Sequence, residues 1–148
     1  MSLRLATRAD AAVLAEVHAT AFDRPWTGDD LLRFAEDRGG FAIVAEDDGA
    51  ISGFILCRAM AGEAEILTLA VRPERRRRGV ARLLVEAAAA LASQTVDAMF
   101  LEVAEDNPAA IALYQQSAFT SVGRRGGYYA RPGAPAVAAI VMRRALNS

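Results

Sequence analysis

The stretch from Glu63 to Ala104 constrains the fold more than any other part of the chain. "EAEILTLAV" is a largely apolar run stopped by Pro73, and "DAMFLEVA" is a second such run. Between them, Val80, Leu83, Leu84, Ala87, Ala88 and Leu91 recur at helical spacing from Gly79 to about Ser93. Strand, crossover helix and strand make a parallel unit, whose faces must be covered by helices. The expected class is therefore α/β with a mixed central sheet.

The flanking segments extend this unit. "LRLAT" alternates like a short strand, and Thr7-Arg8-Ala9-Asp10 reads as a capping-box variant opening a helix to about Ala21. Thr27 and Asp30 start a second helix that ends near Gly39-Gly40. "FAIVAED" and "AISGFILCRAM" flank Asp47-Asp48-Gly49, a hairpin turn signal. Asn107 caps a helix with Pro108 at its first position, running to about Ser117. "FTSVGRR" and "AVAAIVMRR" are strands joined by a Gly/Tyr/Pro-rich loop. With 148 residues and no repeat or linker, the expectation is one domain, 1–148, ordered β-α-α-β-β-β-α-β-α-β-β.

Charge and rare residues exclude several functions. The formal net charge is -1, so the molecule as a whole is not a cationic nucleic-acid binder, and any basic patch is local. The one cysteine, Cys57, permits no internal disulfide and reads as a buried strand residue. The one histidine, His18, has no cysteine or carboxylate cluster beside it, so no metal is implied and a structural or surface role is expected. "MSLRLATRAD" lacks the apolar core of a signal peptide, and the apolar run 87–92 is too short to span a bilayer. The expected location is cytoplasmic, with no membrane partner.

Four adjacent arginines, Arg75 to Arg78, stand directly before Gly79 and the crossover helix. A helix N-terminus offers unsatisfied N–H groups and partial positive charge, which together hold phosphates. Gly79 permits close approach, and Ala81 keeps the first turn small. In Arg76-x-x-Gly79-x-Ala81, the amides of Arg77, Arg78, Gly79, Val80, Ala81 and Arg82 can wrap a pyrophosphate while arginine side chains reach its outer charges. A charge run alone also fits a solvated basic face; its place between strand and helix favours the anion. The sequence carries no Gly-Lys-Ser/Thr and no dinucleotide-type glycine triplet near the first strand.

This loop, with "ILTLAVRPERRRRG" before it and "LEVAEDNPAAIALYQQSAF" after it, resembles the GNAT acyltransferase superfamily. "RPWT" (24–27), "LEV", "AAIALYQQSAF" and "GRRGGYY" (123–129) are similar to its bacterial ribosomal-protein alanine N-acetyltransferases. The resemblance spans about residues 3 to 145. Arg76 stands where glutamine is common, Ala118 replaces the usual glycine before Phe119, and Ala104 follows "LEV" where arginine can occur.

The resemblance implies acetyl-CoA as co-substrate, held by residues 76–82, and a strand that splays near Leu69, Ala70 and Val71. Backbone N–H groups there would meet the pantetheine arm and the acetyl carbonyl, while Asn107 would cap its helix and contact the coenzyme arm. Glu102 is the candidate general base: it is the one acidic residue in "AMFLEVA", near the strand end where α/β crevices open, and burial makes a carboxylate a stronger base. Tyr114, on the same helix face as Asn107 and Ile111, is the candidate acid for the departing thiolate. Trp26, Tyr128 and Tyr129 would wall a peptide site, and Glu105 and Asp106 are either solvated or attract a cation. The implied acceptor is the N-terminal α-amine of an Ala-starting protein, a small ribosomal-subunit protein, acted on by a monomer or weak dimer. Acetylation of a small-molecule amine remains the alternative.

Overall fold

A computed structural model describes residues 1–146; Asn147 and Ser148, the end of the expected domain, lie outside the described residues. The elements run β1 (Ser2–Leu5), α1 (Ala11–Ala21), α2 (Gly28–Glu36), β2 (Gly40–Asp47), β3 (Ala50–Met60), β4 (Glu63–Val71), α3 (Val80–Ala92), β5 (Ala98–Ala104), α4 (Pro108–Gln116), β6 (Thr120–Arg131) and β7 (Ala134–Ala145). They form one seven-stranded sheet in the order β1-β2-β3-β4-β5-β7-β6, in which only β4 and β5 pair parallel. This is the mixed α/β sheet the sequence implies.

Local chemistry sets the helix starts. Thr27 Oγ1 accepts the Asp30 N–H at 3.1 Å, the cap that opens α2. Asp10 accepts the Thr7 N–H at 2.7 Å, closing a single 3-10 turn over Arg8–Asp10 before α1 begins. Arg4 forks onto the same carboxylate at 2.8 and 2.9 Å and lowers its pKa to about 2.

The sheet divides two cores. Leu14, Val17 and Leu31 of α1 and α2 pack on Val44, Phe54, Leu56 and Ala70, while Val80, Leu84, Val85 and Ala88 of α3 cover Ile55, Cys57, Met99 and Leu101. The buried stripe of α3 is rotated from the one the spacing predicts: Val85, Ala89 and Ala92 are inside, and Leu83 is 46% exposed. With alanine on every side of the helix, periodicity cannot fix which face turns inward. The final hairpin also differs from expectation. Both strands run through the predicted loop and leave only a short turn at 132–133, with extra residues accommodated as register shifts between Arg125 and Tyr129 and between Tyr129 and Arg131. Consecutive glycines and prolines had hidden the alternation there.

Two irregularities shape the centre of the sheet. Leu56 pairs with Thr68 but Cys57 with Ile66, so Leu67 is a bulge residue on β4. The bulge reverses the alternation of faces: Ala64 and Ile66 belong to the α3 side, whereas Ala70 faces the α1/α2 side. Beside it, β4 and β5 pair only from Glu63–Glu65 to Ala98–Phe100 and then part.

A close approach fixes how α2 leads into the sheet. Gly39 has φ +80°, its carbonyl accepts the Ala59 N–H at 2.7 Å, and a Cβ there would lie 1.9 Å from the Ala59 oxygen. Gly39→Ala is expected to cost more than the roughly 1–2 kcal/mol of left-handed strain alone. Gly49→Ala, at the same φ with nothing within 4 Å, should cost only that strain. Thermal melts of the two variants compare them directly; equal losses would contradict the close-packing account.

Candidate active site

The parting of β4 from β5 leaves part of β4 without a strand partner on one edge. Arg72 N–H bonds to the Ser52 carbonyl at 2.8 Å, and the register continues through Phe54/Ala70 and Leu56/Thr68. By antiparallel alternation, Ala70 and Thr68 direct their backbone groups to β3. Leu69 and Val71 therefore direct theirs into the opening. Arg76 Nε donates to the Val71 carbonyl there at 3.1 Å, so this arginine satisfies the open edge itself.

The rest of the arginine run divides by role. Arg75 pairs with Asp47 at 2.8 Å, and neighbouring Arg72 bonds the Ile51 carbonyl at 2.8 Å and Glu16 at 3.0 Å. Arg77, Arg78 and Arg82 are exposed. Arg77 and Gly79 both have positive φ, 63° and 78°, and Gly79 caps α3 with open space where a Cβ would stand. No side chain caps this helix, so its first amides face the loop, as an anion site requires.

Glu102 lies on β5 beyond the parting. Met99, Leu101 and Val103 point into the α3 core, while Phe100, Glu102 and Ala104 occupy the other face and are half-buried. The enclosure that the sequence suggested for Glu102 is only partial. Its side chain is 21% exposed, and Arg125 of β6 approaches its Oε1 at 3.0 Å. The same guanidinium lies 5.3 Å from the Tyr128 ring centroid, and Tyr128 meets Tyr129 edge-on at 4.9 Å. Burial and then the nearby Glu102 charge raise the Tyr129 pKa. Glu105 and Asp106 are neither free nor simply solvated: Arg124 and Arg131 each fork onto one of them at 2.8–3.2 Å.

Tyr114 is buried, edge-on to Phe119 at 5.8 Å. Burial pushes its hydroxyl pKa well above the usual tyrosine value, so it keeps its proton throughout the neutral range and is available as an acid. Asn107 caps α4 by accepting the Ala110 N–H at 3.1 Å.

His18 is neither on the surface nor idle. It is 2% exposed; its Nδ1 accepts the Trp26 backbone N–H at 3.1 Å, so Nε2 carries the hydrogen and donates to Thr68 Oγ1 at 3.1 Å. Its ring stacks with Phe22 at 4.3 Å and Trp26 at 5.4 Å. Trp26 is thereby packed on α1 and against Phe34, while Tyr128 and Tyr129 gather with Glu102. The sequence did not reveal His18 as the tie between the 22–27 loop and the β4 bulge, because its partners lie in distant segments. Arg125 stood within a quoted motif, but only the register of β6 shows that it reaches β5.

Comparison with known proteins shows the family and the fold. The model of the acetyltransferase (GNAT) family matches residues 11–119. N-alpha-acetyltransferase RimI of Mycobacterium tuberculosis is 35% identical over 136 residues, 88% of this chain and 85% of that protein. The [ribosomal protein bS18]-alanine N-acetyltransferase of Salmonella typhimurium is 32% identical over 130 residues, 87% of this chain and 86% of that protein. The crystal structure of the ribosomal-protein-S18-alanine N-acetyltransferase from Escherichia coli superposes with a TM-score of 0.91 at 24% identity, covering 99% of this chain and 94% of that one. No helix among the described residues is long and apolar enough to cross a membrane.

Burial lowers the His18 pKa below 6.5, so the folded state resists a proton that the unfolded chain accepts. Its contribution is complete above pH 6.5 and is lost as the pH falls below that value. Asp10, with its carboxyl held near 2, loses its contribution only below pH 3.8. Melting temperature should therefore fall between pH 7 and pH 5 through this single histidine, and His18→Gln should flatten that dependence. A variant with an unchanged pH slope would overturn the assignment.

Proposed function

The chain belongs to the acetyltransferase (GNAT) family and is an acetyl-CoA-dependent N-acetyltransferase; we propose that its acceptor is the N-terminal α-amine of a protein beginning with alanine, on a ribosomal protein in the cytoplasm. The observation that carries this reading is the opening past Glu65 and Phe100, with Glu102 on one side and the backbone N–H groups of Leu69 and Val71, which face no strand partner, on the other. At least 30% identity along most of the chain to proteins named for N-terminal alanine acetylation supports the acceptor class.

The residues fit the co-substrate. Gly79 leaves space beside an uncapped helix start, and exposed Arg77, Arg78 and Arg82 supply positive charge for its phosphates. Arg76 contributes through the loop backbone, its guanidinium being committed to Val71. The backbone N–H groups of Leu69 and Val71 would polarise the acetyl carbonyl, and one such donor aimed at a developing oxyanion is worth roughly 3 kcal/mol. Asn107 would reach the coenzyme arm from the start of α4.

Glu102 takes the proton of the attacking α-amine, directly or through water. An α-amine titrates near ~8, against ~10.4 for a lysine side chain, so a modest base suffices. As the C–N bond forms and the C–S bond breaks, Tyr114 gives its proton to the departing sulfur. Tyr128 and Tyr129 would flank the incoming peptide, and Trp26 would act from the α1 side by holding the neighbouring loop.

Glu102→Gln should reduce kcat on an Ala-starting peptide by about 10²–10⁴-fold, and Tyr114→Phe should lower it while coenzyme A affinity stays unchanged. Gly79→Asp should instead weaken coenzyme A binding by at least about tenfold, through a carboxylate facing the phosphates. Calorimetry and steady-state kinetics separate the two effects. Equal turnover of an N-blocked lysine peptide and an Ala-starting peptide would contradict the acceptor assignment.

A further inference from the structure

Three ion pairs link β6 to the end of β5 and the turn that follows, and they are not alike. The outer two, Arg124–Glu105 and Arg131–Asp106, are forked, each through two aligned hydrogen bonds of 2.8–3.2 Å. The third, Arg125–Glu102, is a single nitrogen–oxygen approach of 3.0 Å from a guanidinium whose side chain is 58% exposed. Its second contact is the Tyr128 face at 5.3 Å, on a ring that is 50% exposed.

The sheet makes this approach possible. Register aligns Ala104, Ala139 and Arg125 in one row across β5, β7 and β6, and Glu102, Val141 and Gly123 in another two residues along. Val141 occupies the row between Glu102 and Gly123, so the clear path is diagonal: Arg125 passes over Ala139 and beside Ala104 to reach the carboxylate. One cation thus sits against the group that the proposed chemistry needs for another.

We propose that Arg125 is a stand-in for the acceptor's ammonium: it holds Glu102 in the free enzyme, and the incoming amine displaces it toward Tyr128. This rests on Glu102 acting as the base. Once displaced, Arg125 leaves the carboxylate to the ammonium, whose proton passes to Glu102 as the nitrogen becomes nucleophilic. Arg125 is then a specificity residue. An acceptor that presents a cation competes with the guanidinium better than a neutral or hindered amine does. Exposed pairs are weak, so exchange is easy and its effect modest.

Steady-state kinetics at saturating acetyl-CoA test this with an Ala-starting peptide. Arg125→Gln should lower the acceptor KM about three- to five-fold with kcat within about twofold, the scale of an exposed ion pair. Arg125→Lys should restore the original KM, and coenzyme A affinity should not move in either variant. An unchanged or raised KM, or a fall in kcat at constant KM, would overturn the proposal, the latter making Arg125 an orienting group for the base. Glu102→Gln is the control: if it keeps full kcat, the base assignment fails and this inference with it. If it is inactive while Arg125→Gln leaves KM unchanged, only this inference fails.

Discussion

The loss of pairing between β4 and β5 is the constraint on which the rest of the site depends. A parallel pair covered on both faces would normally continue its ladder, because an unsatisfied backbone group in the interior costs about 1–3 kcal/mol. Here the ladder stops after three residue pairs. The Leu67 bulge lies at the start of the unpaired stretch and turns Thr68 and Ala70 toward the α1/α2 side. Thr68 is met there by His18, and the Val71 carbonyl is met by Arg76. The opening is thus held by specific partners on both flanks of β4, and is not a frayed end.

The arginine run follows from the same constraint. Like charges crowded together are unfavourable unless something neutralises them, and the structure divides the four residues between two tasks. Arg75 and Arg76 are bound to the protein, one to Asp47 and one to the open strand edge. Arg77 and Arg78 stay exposed at an uncapped helix start. The sequence alone has some of these arginines reach a pyrophosphate without saying which are free to do so; only the fold separates the structural pair from the pair left for an anion.

Much of the architecture was legible because its signals are local. Pro73 ends β4, Thr27 and Asn107 cap their helices through their own side chains, and β2, β3 and β5 are short apolar runs bounded by turn signals. The candidate site was legible where family likeness pointed to it: Glu102 on β5 and Gly79 at the start of α3. What could not be read depends on contacts between distant segments. The His18 ring looks isolated in sequence, yet its partners are Trp26 and Thr68. Glu102 looks apolar-enclosed in "AMFLEVA", yet Arg125 of β6 meets its carboxylate, and the bulged hairpin that brings Arg125 there is written in glycines, which carry no pattern. The buried face of α3 was misread because alanine surrounds the helix.

Hydrogen exchange at the Leu69 and Val71 amides tests the central claim most directly, that the open edge of β4 is the seat of the thioester. Both amides should exchange rapidly in the free protein, in contrast to Thr68 and Ala70, and become protected when acetyl-CoA is added. Protection of all four in the free protein would contradict the opening. Unchanged exchange of Leu69 and Val71 on saturation with acetyl-CoA would contradict their role in holding it.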